Sequence, residues 1–208
     1  MARRRPHLNE AITALLEDVR VRMPEFAHVR PGRVLVVAGE ARRASRGTVK
    51  PLTFAGGKTT DARGRKKPLV KLHGRKMLYC ITLRPLFFRA STPQTRVGTL
   101  LHELYHAAAA FDGTLDEGRR HARLGPEFSR KLRPLVRRYL KRCPKELLAP
   151  FAYDGEVRIF QWLERPATFY QSGRATVRSR YTEAHLFLAT VRMVTEPAAG
   201  DAAVKKVH

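Results

Sequence analysis

Residues 91–113 constrain this chain more than any other stretch. Ser91-Thr92-Pro93 is a helix start, with hydroxyl residues ahead of a proline in the first turn. Val97, Leu100, Leu101, Leu104, Ala108 and Phe111 come after it at helical spacing, and Gly113 stops the pattern. The spacing predicts a helix from Pro93 to Phe111. Within it lies His102-Glu103-Leu104-Tyr105-His106. Side chains four apart share a helix face, so both imidazoles can reach one metal ion. Glu103 is displaced around the helix and reaches a water in the metal's open position rather than the metal. Two nitrogen donors, a carboxylate base and an activated water are what metal-assisted hydrolysis needs. Leu100, Leu101 and Leu104 around the motif, and the small residues Ala107–Ala110 after it, suit a helix buried beneath a cleft.

Two histidines need a third protein ligand. His121 lies fifteen residues past His106, enough for a helix end, a turn and a return. Asp116 and Glu117, in the loop after Gly113, are the alternatives. Asp112 is too near the end of the same helix to fold back. An oxyanion donor is also required, and Tyr153, Arg119 and Arg123 are candidates.

Elsewhere the chain reads as alternating short elements. Leu8, Ile12, Leu15, Leu16 and Val19 predict a helix over residues 8–21, ended by Pro24. Val34–Ala38 reads as a buried strand. Thr48–Phe54 and Pro68–Leu72 are short extended pieces that suit a hairpin with a long basic tip. Residues 77–83 form another strand, extended past Pro85 by Leu86–Phe88. Gly125-Pro126 opens a basic amphipathic helix to about Lys141, kinked at Pro134. Glu156–Trp162, Arg174–Tyr181 and Leu186–Val194 predict a terminal antiparallel meander. Residues 1–7 are expected to be a flexible basic arm and 196–208 a disordered tail.

Charge supplies the partner argument. The 208 residues hold 41 Lys and Arg against 18 Asp and Glu, a formal +23. Residues 1–100 hold 22 against 6, so the excess is concentrated there. Such a field attracts polyanions: nucleic acid, anionic membrane or acidic protein. The basic 41–76 segment and Arg3-Arg4-Arg5 are the candidate DNA contacts, made through phosphates because no base-reading motif is present. Phe54 and Tyr79 are candidates for stacking on single strands. No apolar run approaches a bilayer span, so no membrane role is expected. Glu10, Glu17 and Asp18 interrupt the stretch after the basic start, so no secretory core is expected. Cys80 and Cys143 are far apart, which argues against a disulfide scaffold and for a reducing, cytoplasmic setting.

The run from Thr99 to Leu135 resembles the SprT/Spartan-type zinc metallopeptidases. Leu100-Leu101-His102-Glu103, His106-Ala107, His121 and Gly125-Pro126-Glu127-Phe128 match that pattern in order. It is also similar to phage-type metallopeptidases sharing this helix. The resemblance covers about 40 residues. Three residues separate His121 from Gly125 where the pattern has none, and the cysteine zinc ribbon of many members is absent. The resemblance implies a zinc endopeptidase acting on proteins near DNA, with zinc on His102, His106 and His121 and Glu103 as general base.

The expected fold is therefore α+β and zincin-like: a small mixed sheet, the metal helix, a following basic helix and a C-terminal β meander. The expected organisation is an arm over 1–7, a metallopeptidase domain over 8–152, a β segment over 153–195 packed on it, and a tail. The other reading is a basic nucleic-acid-binding protein, not an enzyme, whose His-Glu-x-x-His helix is structural or degenerate.

Overall fold

A computed structural model of the chain describes residues 5–40, 45–119, 125–171 and 177–196. It is a mixed α+β arrangement of helices and small sheets. Helix α1 spans Leu8–Arg22 and buries Leu8, Ile12, Leu15, Leu16 and Val19. No side-chain bond caps its start. A cap contributes about 1 kcal/mol, whereas each buried Leu or Ile contributes about 1.5–3 kcal/mol, so packing decides this helix.

Strand β1 (Val34–Ala38) is followed by β2 (Gly47–Pro51), β3 (Leu69–Leu72), β4 (Arg75–Lys76) and β5 (Tyr79–Leu83). The first sheet has the order β1-β5-β2, with β1 parallel and β2 antiparallel to β5. Val36 and Ala38 enter the main core, while Leu35 and Val37 enter a second core with Val70, Leu72 and Cys80. Burial on both faces explains why Val34–Ala38 is a continuous apolar run rather than an alternating one. The 47–72 region is not a hairpin. Strand β2 pairs with β5, and β3 pairs with β4 and with a later strand. Leu86–Phe88 is not strand but part of helix α2 (Pro85–Arg89), which buries Phe87 and Phe88.

Helix α3 spans Pro93–Tyr105, with the Thr92 hydroxyl accepting from Thr95 N at 3.1 Å as the cap. It stops well short of Phe111. Ala107 pairs with Leu115, and Ala108 N donates to Thr114 O at 3.0 Å. Phe111 turns back into the core against Tyr79 at a φ of 46°. Gly113 has a φ of 92°, and a Cβ there would sit 1.7 Å from Thr53 Oγ1. A buried aromatic and a required glycine thus override the helix propensity of the alanine run.

Helix α4 (Pro126–Leu140) carries Pro134 inside it and buries Phe128, Leu132 and Tyr139. The short α5 (Lys145–Leu148) leads to β6 (Gly155–Trp162), β7 (Arg180–Tyr181) and β8 (Leu186–Met193). Strands β6 and β8 pair antiparallel over eight residues, but β7 leaves them and runs parallel to β3. The predicted three-stranded meander is therefore a two-stranded ribbon plus a strand lent to another sheet. Asn9 ties the ribbon to the core, donating to Val36 O at 2.7 Å and accepting from Phe160 N at 2.9 Å.

Residues 5–7, expected within a flexible arm, lie along β6. Arg5 pairs with Glu156 at 2.6 Å, and Pro6 O accepts from Arg158 N at 2.8 Å. Residues 1–4 and the tail over 197–208 lie outside the described residues. Neither cysteine is in a disulfide. Among the described residues no helix is long and apolar enough to cross a membrane.

Candidate active site

Helix α3 packs against β2 on one side and α4 on the other. Gly98 lies on the second contact, where a Cβ would meet Val136 Cγ1 at an ordinary 3.5 Å. The three elements enclose an open cleft of about 1120 Å³, lined by His102, Glu103 and His106 together with Val49 of β2 and Leu132 and Val136 of α4.

The two histidines sit side by side, ring centroids 5.2 Å apart. Phe128, fully buried, packs on both at 4.7 and 4.6 Å and stacks on His106 at an interplanar angle of 19°. His106 Nδ1 lies 2.8 Å from Arg119 O. A carbonyl only accepts, so Nδ1 carries the proton and the lone pair lies on Nε2. That is the form in which a ligating histidine is usually held. Arg119 is itself fixed: it lies over the Tyr105 ring at 4.4 Å, donates to Tyr105 O at 3.3 Å and pairs with Asp116 at 3.1 Å. Asp116 N closes the turn on His106 O at 2.8 Å.

Glu103 is 6% exposed. Burial pushes its carboxyl up to about 7, opposed by the Val49 N–H that it accepts and by the charge of Arg84. Strand β2 alternates its backbone here. Arg46 O accepts from Arg84 N and Leu52 N donates to Leu78 O, so even positions face β5. Gly47 and Val49 therefore face the free edge above Glu103. Gly47 suits this close approach: a Cβ there would meet Thr99 Cγ2 at 3.1 Å and Glu103 Oε1 at 3.3 Å, tighter than ordinary contact.

The structure thus brings together His102, Glu103 and His106. His121 lies outside the described residues, as does Arg123. Asp116 has its carboxylate engaged by Arg119 and by Gly118 N, and Glu117 is exposed on the same turn. Among the described residues no group of three His, Cys, Asp or Glu side chains is placed to hold a metal. The donor chemistry of His102 and His106 fits a borderline metal such as zinc, with one further ligand needed. Of the oxyanion candidates, Tyr153 and Arg119 are not among the residues lining the cleft; Arg119 is spent on Tyr105 and Asp116.

Some members of the site are not evident from sequence. Phe128 reads there as part of a helix start, yet it is the ring behind both imidazoles. The Arg119 carbonyl has no sequence signature. The cleft wall has one: Leu132, Val136 and Leu140 recur every four residues on α4 and all line the cleft.

The basic 41–76 segment is more integrated than expected. Residues 41–44 lie outside the described residues. Lys67 is buried, donating to Thr53 O at 2.6 Å and Pro51 O at 3.2 Å, with Phe54 4.5 Å away. Arg65 pairs with Asp61 at 2.7 Å, and Lys76 donates to Gly57 O at 2.9 Å. Lys58, Arg63 and Arg75 remain exposed. Tyr79 is fully buried and cannot stack on bases.

No family model, curated protein or solved structure matches the chain.

Proposed function

We propose that the chain is a zincin-like metallopeptidase in which His102, His106 and His121 hold zinc and Glu103 is the general base. The observation that carries this reading is the His102–Glu103–His106 set on the cleft floor, with His106 Nδ1 held by the Arg119 carbonyl at 2.8 Å. When bound, zinc would polarise a scissile carbonyl and acidify its water.

The chain's own residues account for the remainder. The cleft-side edge of β2, whose Val49 N–H is already taken by Glu103, leaves its outward carbonyls for an extended peptide to pair with. Glu103, held against that edge by the Val49 N–H, takes a proton from the attacking water and returns it to the leaving amine. Phe128 and the apolar wall of α4 limit water around the imidazoles. The strong positive charge, with Lys58, Arg63 and Arg75 exposed, supports substrates that are proteins bound to DNA. The unpaired cysteines support a reducing, cytoplasmic setting.

Glu103→Gln tests this directly. An amide of nearly the same shape cannot act as base, so casein hydrolysis falls at least about a hundredfold while zinc content and fold are kept. Wild-type activity in this variant rules out Glu103 as the base. Protein purified without stoichiometric zinc and without hydrolysis returns the chain to the non-enzymatic nucleic-acid reading.

A further inference from the structure

We infer that the cleft selects peptides carrying an acidic side chain beside an apolar one, read by Arg133 and Arg137 of α4. This rests on the peptidase reading and adds the substrate class. The first observation is how the charges on α4 are matched. Arg130 pairs with Glu127, and Arg138 pairs with Glu25 across to the 24–26 turn. Arg133 and Arg137, one turn apart and lining the cleft, are exposed and have no ion-pair partner among the described residues.

The opposite rim repeats the pattern. Arg46 is held by Ala90 O at 2.9 Å and Ser91 Oγ at 2.7 Å, both neutral acceptors, so its charge stays uncompensated. Among the described residues lining the cleft, the one carboxylate is Glu103, buried on the floor. Three guanidinium groups on a concave rim therefore face no counter-charge of their own. Field lines concentrate in such a cleft, and an acidic ligand is the complement.

The second observation is the apolar stripe beside them. Leu132 and Val136 immediately precede Arg133 and Arg137, and with Leu140 they line the same wall. An extended peptide turns every second side chain to one side. Side chains directed at α4 meet the stripe, and acidic neighbours reach Arg133 or Arg137. Nucleic acid would use the cations but leave the stripe and the floor carboxylate uncomplemented.

The test uses the full-length Glu103→Gln protein, which binds without turnover, and three fluorescent ten-residue peptides. They are identical around a central Leu except for flanking Glu, Gln or Lys. The Glu peptide is expected to bind about tenfold tighter than the Lys peptide at low salt, with the ratio approaching one at high salt. Adding Arg133→Glu and Arg137→Glu inverts the order, whereas Arg133→Lys with Arg137→Lys keeps it. Equal affinity for all three peptides, with the wild type still hydrolysing casein, overturns the charge preference and leaves the peptidase reading standing. Binding of none of the peptides overturns it as well, and loss of casein hydrolysis alongside removes the peptidase reading too. Tight binding of a duplex oligonucleotide that is lost with the two Arg→Glu changes, without peptide discrimination, assigns the cleft to nucleic acid instead.

Discussion

His106, at the end of α3, donates from Nδ1 to the carbonyl of Arg119, thirteen residues further on, at 2.8 Å. The ring is thus oriented by a turn whose own rigidity comes from Asp116 and Tyr105. Ligands and their supports should separate in measurement. His102→Ala, His106→Ala and His121→Ala are expected to lose zinc outright. Asp116→Ala, which frees Arg119, is expected to weaken zinc by about tenfold to a hundredfold and no more. Chelator competition reads both. Complete loss in Asp116→Ala with full retention in His121→Ala would reassign the third ligand.

Strand β2 reaches the helix through a residue without a side chain. Gly47→Val is expected to push the strand from Thr99 and Glu103, breaking the Val49 contact to the carboxylate. Peptide kcat/KM falls by about tenfold or more, and stability by about 1–3 kcal/mol. Unchanged kcat/KM in a destabilised variant would show that the edge does not take part in substrate binding.

Lys67 gives a pH signature remote from the cleft. Burial lowers its ammonium to about 8, with the charge of Arg65 adding to the effect. The unfolded lysine titrates near 10.5, so between these values the unfolded chain holds more protons. Folding stability therefore rises with pH through that window. Cys80, pushed up to about 11 by burial, acts in the opposite direction once pH passes 9. The rise is clearest from about pH 8 to 9, as the difference between wild type and Lys67→Met in denaturant melts. Parallel curves for the two proteins would show that Lys67 titrates normally.

The proposed DNA contact is expected to divide the basic residues of the 45–76 region by exposure. Lys58→Ala, Arg63→Ala and Arg75→Ala together are expected to shallow the salt dependence of binding by about three units. Arg65 and Lys76 already serve Asp61 and Gly57, and changing them alters stability rather than the slope. An unchanged slope in the triple variant removes this surface from the interface.

Much of the framework is readable from sequence because it is local. The spacing of Leu8 to Val19, the run Val34–Ala38 and the Thr92-Pro93 start each specify their element within a few residues. The pair His102 and His106 is readable for the same reason, since helical geometry alone places them together. The features that escape such a reading depend on partners far along the chain. Phe111 leaves the helical pattern because Tyr79 and His28 offer it a pocket. Strand β7 leaves the expected meander because β3 has an open edge. Lys67 reads as one more surface cation until the Pro51 and Thr53 carbonyls are brought to it.

Arg96 extends this to the order in which the molecule is completed. It stands on α3, fully buried, and donates to Phe87 O, Phe88 O, Phe151 O, Val194 O and Thr195 Oγ1. The last two acceptors come 98 and 99 residues later in the chain. During synthesis from the N-terminus, the helix bearing His102 is therefore complete long before its guanidinium can be satisfied. A nascent chain ending before Val194 holds a desolvated cation short of acceptors, a state that favours local opening over closure. Helix α3 is fastened by the two residues that follow β8, so any truncation that removes Val194 and Thr195 loosens the cleft floor from the far side.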